Sequence, residues 1–166
     1  MLEIHKSNKS FYETFKSVKK NLRQLLGNEC VIEHVGSTSV PNVDGKGIVD
    51  ILIGFEGEKQ IKAAVKVLVK DKYFVGRNNS AHKNRVFMAS TKDDTTLGDV
   101  HLHLTIKGSK DFYDLINIRD FLRQHPEEAK VYSDLKYRIA KETGYDREAY
   151  KKQKSLFIEA LLERIG

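Results

Sequence analysis

The chain has 166 residues, 40% of them apolar, and only two prolines, which fits one α/β domain over 1–166 with one packed core. Its 29 basic and 23 acidic side chains leave a net charge of +6, which permits attraction to an anion without demanding it. Those charges are interleaved along the chain, especially after Lys107, and so disfavour a nucleic-acid interface, which concentrates basic residues and stacking aromatics; a single cysteine, Cys30, excludes an internal disulfide and a thiolate-rich zinc site.

The opening MLEIHKSNKSFYE has no apolar signal region, and no run is long and apolar enough to span a membrane, so the expected compartment is the cytoplasm. Ser10 and Glu13 form a capping-box pattern, and Phe11, Phe15, Val18, Leu22 and Leu25 recur at helical spacing up to Gly27-Asn28. Cys30 to Val35 reads as a strand running into the turn Gly36-Ser37-Thr38-Ser39. Ile48 to Ile53 is a strand apolar on both faces except for Asp50, which places it inside its sheet. Glu58 to Lys70 is an amphipathic helix with Ile61, Val65 and Leu68 on one face, and Tyr73 to Val75 a short strand. Arg85 to Ala89 and Val100 to Ile106 pair as a hairpin around the polar loop Thr91 to Gly98. Three helices follow, one capped by Ser109, one opening at Pro126 and ending at Gly144, and one opening at Asp146. This order predicts a mixed sheet with helices packed on it and a helical tail.

Three constellations carry possible chemistry. In Val35-Gly36-Ser37-Thr38-Ser39, glycine permits close approach of a ligand and the hydroxyls are donors for phosphate oxygens, with a helix start supplying free N–H groups; the structural alternative is a plain strand-ending turn. Asp50 is costly in an apolar strand unless it is paired or holds a metal. His101 and His103 alternate with Leu102, so their rings stand side by side about 7 Å apart at Cα. That suits two ligands of one ion, one ligand and one proton carrier, or two hydrogen-bonded surface residues, and Asp99 shares the same alternation. Lys46, Arg85, Lys136, Tyr150 and Lys154 join a phosphate site only if the fold brings them to the same cleft.

The run Glu33-His34-Val35-Gly36-Ser37-Thr38-Ser39-Val40-Pro41, with Lys46-Gly47-Ile48-Val49-Asp50-Ile51, resembles the signature of the GrpB (UPF0157) family. His101-Leu102-His103, Arg119 to Pro126 and Asp146 to Lys154 resemble its later blocks, in order. The resemblance implies a nucleotidyltransferase-like fold, in which Gly36 and Ser37 match the triphosphate-holding turn and Asp50 the first metal-binding carboxylate. Asp50, His101 and His103 would then hold a divalent ion, and phosphate would fall to Gly36, Ser37, Thr38, Ser39, Lys46, Arg85, Lys136, Tyr150 and Lys154. The second acid of the superfamily is replaced by Leu52, and the region of the third is occupied by the histidines. One carboxylate with two imidazoles suits zinc or manganese better than magnesium. The expected function is therefore a nucleotidyltransferase-like protein that binds a nucleotide or phosphorylated small molecule with a divalent metal. The alternative is a non-catalytic accessory module with a protein partner, since a related domain occurs fused to dephospho-coenzyme A kinases.

Overall fold

The computed structural model describes residues 2–76, 85–90 and 100–166; the expected loop Thr91 to Gly98 and Asp99 lie outside them. The elements run α1 Ser10–Leu26, β1 Val31–Val35, a single 3₁₀ turn Ser37–Ser39, β2 Val49–Phe55, α2 Glu58–Lys70, β3 Tyr73–Val75, β4 Arg85–Ser90 and β5 Val100–Ile106. The helices α3 Lys110–Gln124, α4 Pro126–Glu142 and α5 Arg147–Ile165 complete them. The mixed sheet has the order β1-β2-β5-β4-β3, with β2 and β5 parallel and the other neighbours antiparallel. As the apolar run predicts, β2 is interior.

Register sorts the strand residues onto two faces. Ile32, Ile53, Leu104 and Val86 form one cross-strand row, and Glu33, Leu52, His103 and Phe87 the next. Because side chains alternate along a strand, these rows point to opposite sides. The first side is apolar: Ile51, Ile53, Leu102, Leu104 and Met88, each 0% exposed, pack with Phe15 and Leu22 of α1 and with Ile61 and Leu68 of α2. Each such burial is worth about 2 kcal/mol of transfer free energy. On the second side Val35 and Leu52 pack against Phe112 of α3, and Glu33, Asp50, His101 and His103 are its polar members.

Ser109 Oγ accepts from Phe112 N and Asp146 Oδ1 from Ala149 N, so α3 and α5 start at the expected caps, and Pro126 sits in the first turn of α4. The expected capping box of α1 does not form. Ser10 lies inside the helix and its N–H donates to Asn8 Oδ1 at 2.9 Å, while Glu13 pairs with Lys16 instead. Asn8 therefore satisfies a free N–H from outside the helix, and Ser10 has no capping role left to play.

Candidate functional site

Asp50 stands on the polar side of β2, directly opposite His101 of β5 and two rows from His103. His103 Nε2 donates to Asp50 Oδ1 at 3.0 Å, and His101 Nδ1 lies 3.6 Å from the same oxygen. Burial pushes the Asp50 carboxyl upward, but the two imidazoles outweigh it and hold the group well below the usual carboxylate range. Burial lowers His103, partly opposed by Asp50. Since Nε2 carries the proton, Nδ1 of a neutral His103 is an acceptor; it and Thr105 Oγ1 are buried without a hydrogen-bond partner among the described residues. Asp50 and both histidines therefore come together on one side of the sheet.

The turn closes over the acid. Gly36 has φ +71°, a conformation that favours glycine, and a Cβ there would overlap Asp50, coming within 2.9 Å of its Cβ. The expected helix start is only the Ser37–Ser39 turn, whose Ser39 and Val40 N–H groups are already bonded to Gly36 O and Ser37 O. Two of its hydroxyls face inward. Ser39 Oγ donates to Gly36 O at 2.6 Å, and Thr38 Oγ1 donates to Ile48 O while accepting from His34 Nε2 at 3.0 Å. Burial drives His34 down to about 4, followed by Arg123, so it serves as a neutral donor. Thr38 and Ser39 thus build the turn, whereas Ser37 presents its hydroxyl to a side chain of the helical tail.

That side chain is Lys136 of α4, 1% exposed, whose Nζ donates to Ser37 Oγ at 3.0 Å and to Asp44 O, and lies 4.5 Å above the Tyr132 ring. Burial first, then the nearby Lys154 ammonium, push Lys136 down to about 7. The same two causes bring Lys46, at the entry to β2, down to about 8. Lys46, Lys136 and Lys154 therefore share one electrostatic neighbourhood. Arg85, opposite Thr105 on β4, lies beyond the histidines; burial lowers it, against the pull of Asp111 and Asp50. Tyr150 is 1% exposed and packs with Leu2, Ile139 and Ala140, and burial raises it to about 12.

Sequence reasoning missed Asp44. Its carboxylate accepts from Lys6 Nζ, Ser7 N and Tyr137 Oη, its N–H donates to Ser133 Oγ, and its carbonyl takes Lys136. It thereby ties the chain start and α4 to the segment ahead of β2. Gly45 allows this approach, since a Cβ there would meet Ser37 Cβ at 3.1 Å. No local pattern announces such a residue, because its partners on α4 are 89, 92 and 93 positions away. Arg123 completes the support by donating from Nε to Ser39 O.

A mixed sheet carrying a Gly-Ser turn over a strand-borne acid defines a nucleotidyltransferase-like fold, and solved structures agree. A Cid1 poly(U) polymerase bound to MgATP superposes with a TM-score of 0.57 at 8% identity, covering 82% of this chain and 44% of that one. Within that class the chain belongs to the GrpB family, whose description, GrpB protein, it matches over residues 1–164. GrpB from Enterococcus faecalis has a TM-score of 0.85 at 23% identity, covering 98% of this chain and 96% of its own. A UPF0157 protein of Vibrio cholerae is 35% identical over 131 residues, 79% of this chain and 65% of that protein. One of Halalkalibacterium halodurans is 30% identical over 152 residues, 90% and 75% respectively. The chain thus spans just under two thirds of the Vibrio relative. Among the described residues no helix is long and apolar enough to cross a membrane.

The fold raises the question of magnesium, and the side chains among the described residues do not fit a pair of such ions. Leu52, where the resemblance implies a second acid, is 0% exposed and packs with Phe112. Both imidazoles already lie against Asp50 Oδ1, and among the described residues no group of three or more His, Cys, Asp or Glu side chains is arranged to hold a metal ion. Two-ion phosphoryl transfer requires several carboxylates to position and neutralise its metals.

Proposed function

We propose that this chain binds a nucleotide or related phosphorylated small molecule through its phosphates, in the cleft between the Gly36–Ser39 turn and the lysines of α4 and α5. The observation that carries this reading is Lys136, a buried amine brought to Ser37 Oγ at 3.0 Å, whose two hydrogen-bond acceptors are neutral oxygens while Asp44 and Asp50 act on it only through space. A buried cation that is hydrogen-bonded to no carboxylate is costly, and an anion at Ser37 would relieve that cost. Asp50, backed by His101 and His103, sits beneath the turn, where it borders any bound phosphate.

Thermal stability in the presence of nucleoside triphosphates and inorganic triphosphate, each with and without magnesium, manganese or zinc, tests the reading. A ligand that binds only the folded chain raises its melting temperature by mass action. The expected result is a rise for the wild type that Lys136→Met loses. Absence of a shift with every combination would remove the basis for the proposal.

Leu52 favours a second reading, an accessory module that keeps the cleft without turnover. Its test is whether deleting the protein lowers the level or activity of dephospho-coenzyme A kinase; an unchanged kinase counts against that partner.

A further inference from the structure

Ser37 and Lys136 form a hydroxyl–amine pair that several parts of the fold set up. Ser37 is half-buried at the turn, and Lys136, 1% exposed, brings its Nζ to Ser37 Oγ at 3.0 Å from behind it. The Asp44 carbonyl accepts a second bond from the same nitrogen and so fixes how the amine points. Gly45 keeps the contact open, since a Cβ there would lie 3.3 Å from Ser37 Oγ and 3.5 Å from Lys136 Nζ. Tyr132, whose ring lies 4.5 Å from Nζ, also hydrogen-bonds Ser37; burial pushes its phenol up, so it acts there as a donor and not as a base. A neutral lysine amine has two N–H bonds and one lone pair. With one N–H committed to Asp44 O, the lone pair can accept the Ser37 O–H. Burial favours that neutral form and Lys154 of α5 adds to it, while Asp44 and Asp50 oppose.

We propose that Ser37 is a nucleophile with Lys136 as its general base, and that the pair takes acyl groups from carboxylic esters. Attack on a carbonyl carbon asks for what is present here, a hydroxyl reachable from solvent and a base within hydrogen-bond distance of it. Serine with lysine is one of the pairings that perform this step in place of serine with histidine. Ser37 Oγ bonds to the acyl carbon as its proton passes to Lys136 Nζ. The ester C–O bond breaks, and the departing alcohol takes that proton. Water then attacks the acyl-serine, its proton passes through Lys136 back to Ser37 Oγ, and the carboxylic acid leaves. This goes beyond phosphate binding and does not rest on it: a phosphate uses the ammonium form of Lys136, the nucleophile its amine form.

Reaction of the full chain with a fluorophosphonate probe, with the modified residue located by peptide mass spectrometry, tests this. Modification is expected at Ser37, absent in Ser37→Ala, with a rate that rises as pH passes about 7 and then levels. p-Nitrophenyl acetate is expected to give a stoichiometric burst of p-nitrophenol that Ser37→Ala abolishes. Lys136→Met and Lys136→Arg are each expected to slow labelling at least about 100-fold, the arginine because it keeps the charge but cannot take the proton. Circular dichroism checks that both fold. Ser37→Cys probes the pair with Lys136 left in place: its alkylation by iodoacetamide is expected at a pH below that of an ordinary thiol, about 8.5. No labelling of Ser37 in the wild type, a Ser37 rate that is flat between about pH 6 and 9, or an ordinary thiol profile in Ser37→Cys would each overturn the proposal. The phosphate site survives any of these results, because it is read separately by the thermal shift with inorganic triphosphate.

Discussion

On one side of the sheet Ile51, Ile53, Leu102, Leu104 and Met88 are fully buried beneath α1 and α2; on the other, the residues that alternate with them include Asp50, His101, His103, Thr105 and Arg85. The same five strands thus carry an apolar side that stabilises and a polar side that costs stability wherever its groups are left incompletely paired. His103 Nδ1 and Thr105 Oγ1 illustrate the cost, since neither has a partner among the described residues. The difference teaches that the two sides are held by different means: the apolar one by burial, the polar one by packing of Val35 and Leu52 on Phe112 and by the pairing of Asp50 with His103 and of Glu33 with Arg119.

The largest break in that comparison comes from exchanging one residue on each side. Leu102→Ala removes a fully buried side chain from the apolar side and is expected to cost about 3 kcal/mol, from lost transfer free energy and the cavity left behind. Asp50→Asn keeps the volume and a hydrogen-bonding oxygen for His103, and is expected to cost under about 1.5 kcal/mol. Urea denaturation of both variants measures the gap. Equal losses would mean that the Asp50–His103 contact is as structural as the core.

This division was partly legible in the sequence. Alternation in Ile48 to Ile53 exposes Asp50 as the exception in its strand, and His101 and His103 are on one side by period alone. Element order was readable for the same reason: 3.6-residue and two-residue periods depend on near neighbours. The turn was read less well. Thr38 and Ser39 looked like phosphate donors, but their hydroxyls close bonds to Ile48 O and Gly36 O. A hydroxyl in a tight turn has backbone acceptors within reach, and these compete with any ligand. Asp44 was not legible at all, because its environment is assembled from Lys6, Ser133 and Tyr137, which come together only after the tail packs back.

Acidity sharpens the comparison next, because each side has its own buried base. His34, stacked on Phe15 at 4.7 Å between ring centroids, is held down to about 4 by burial. Between that value and the ordinary 6.5 the unfolded chain binds more protons than the folded one, so stability falls on acidification through this window. Lys136, next to the polar side, is held down to about 7 against 10.5, and the same reasoning makes stability rise from about pH 7 upward. Each slope is bounded by about 1.4 kcal/mol per pH unit for one proton. His34→Gln is expected to flatten the acid arm alone and Lys136→Met to reduce the alkaline rise, with Lys46 sustaining the remainder above about 8. Melting temperatures across pH, measured for the three proteins, show whether the two windows separate; a single shared change in both variants would break the assignment.

The smallest effect separates the helices that cover the two sides. α3, which lies over Leu52 on the polar side, starts with Ser109 Oγ accepting from Phe112 N at 3.3 Å. Removing that acceptor by Ser109→Ala leaves a helix-end N–H without its partner and is expected to cost about 1 kcal/mol. α1, on the apolar side, carries Ser10 inside its first turn, with Asn8 Oδ1 already accepting from its N–H. Ser10→Ala is therefore expected to change stability by less than about 0.5 kcal/mol, although the sequence pattern alone would assign it the larger loss. α1 is anchored instead by Phe15 and Leu22, so its attachment comes from packing and not from its first turn. Paired denaturation of the two alanine variants decides the matter. A loss at Ser10 equal to that at Ser109 would mean that the capping box forms in solution and that the two helices are held in the same way.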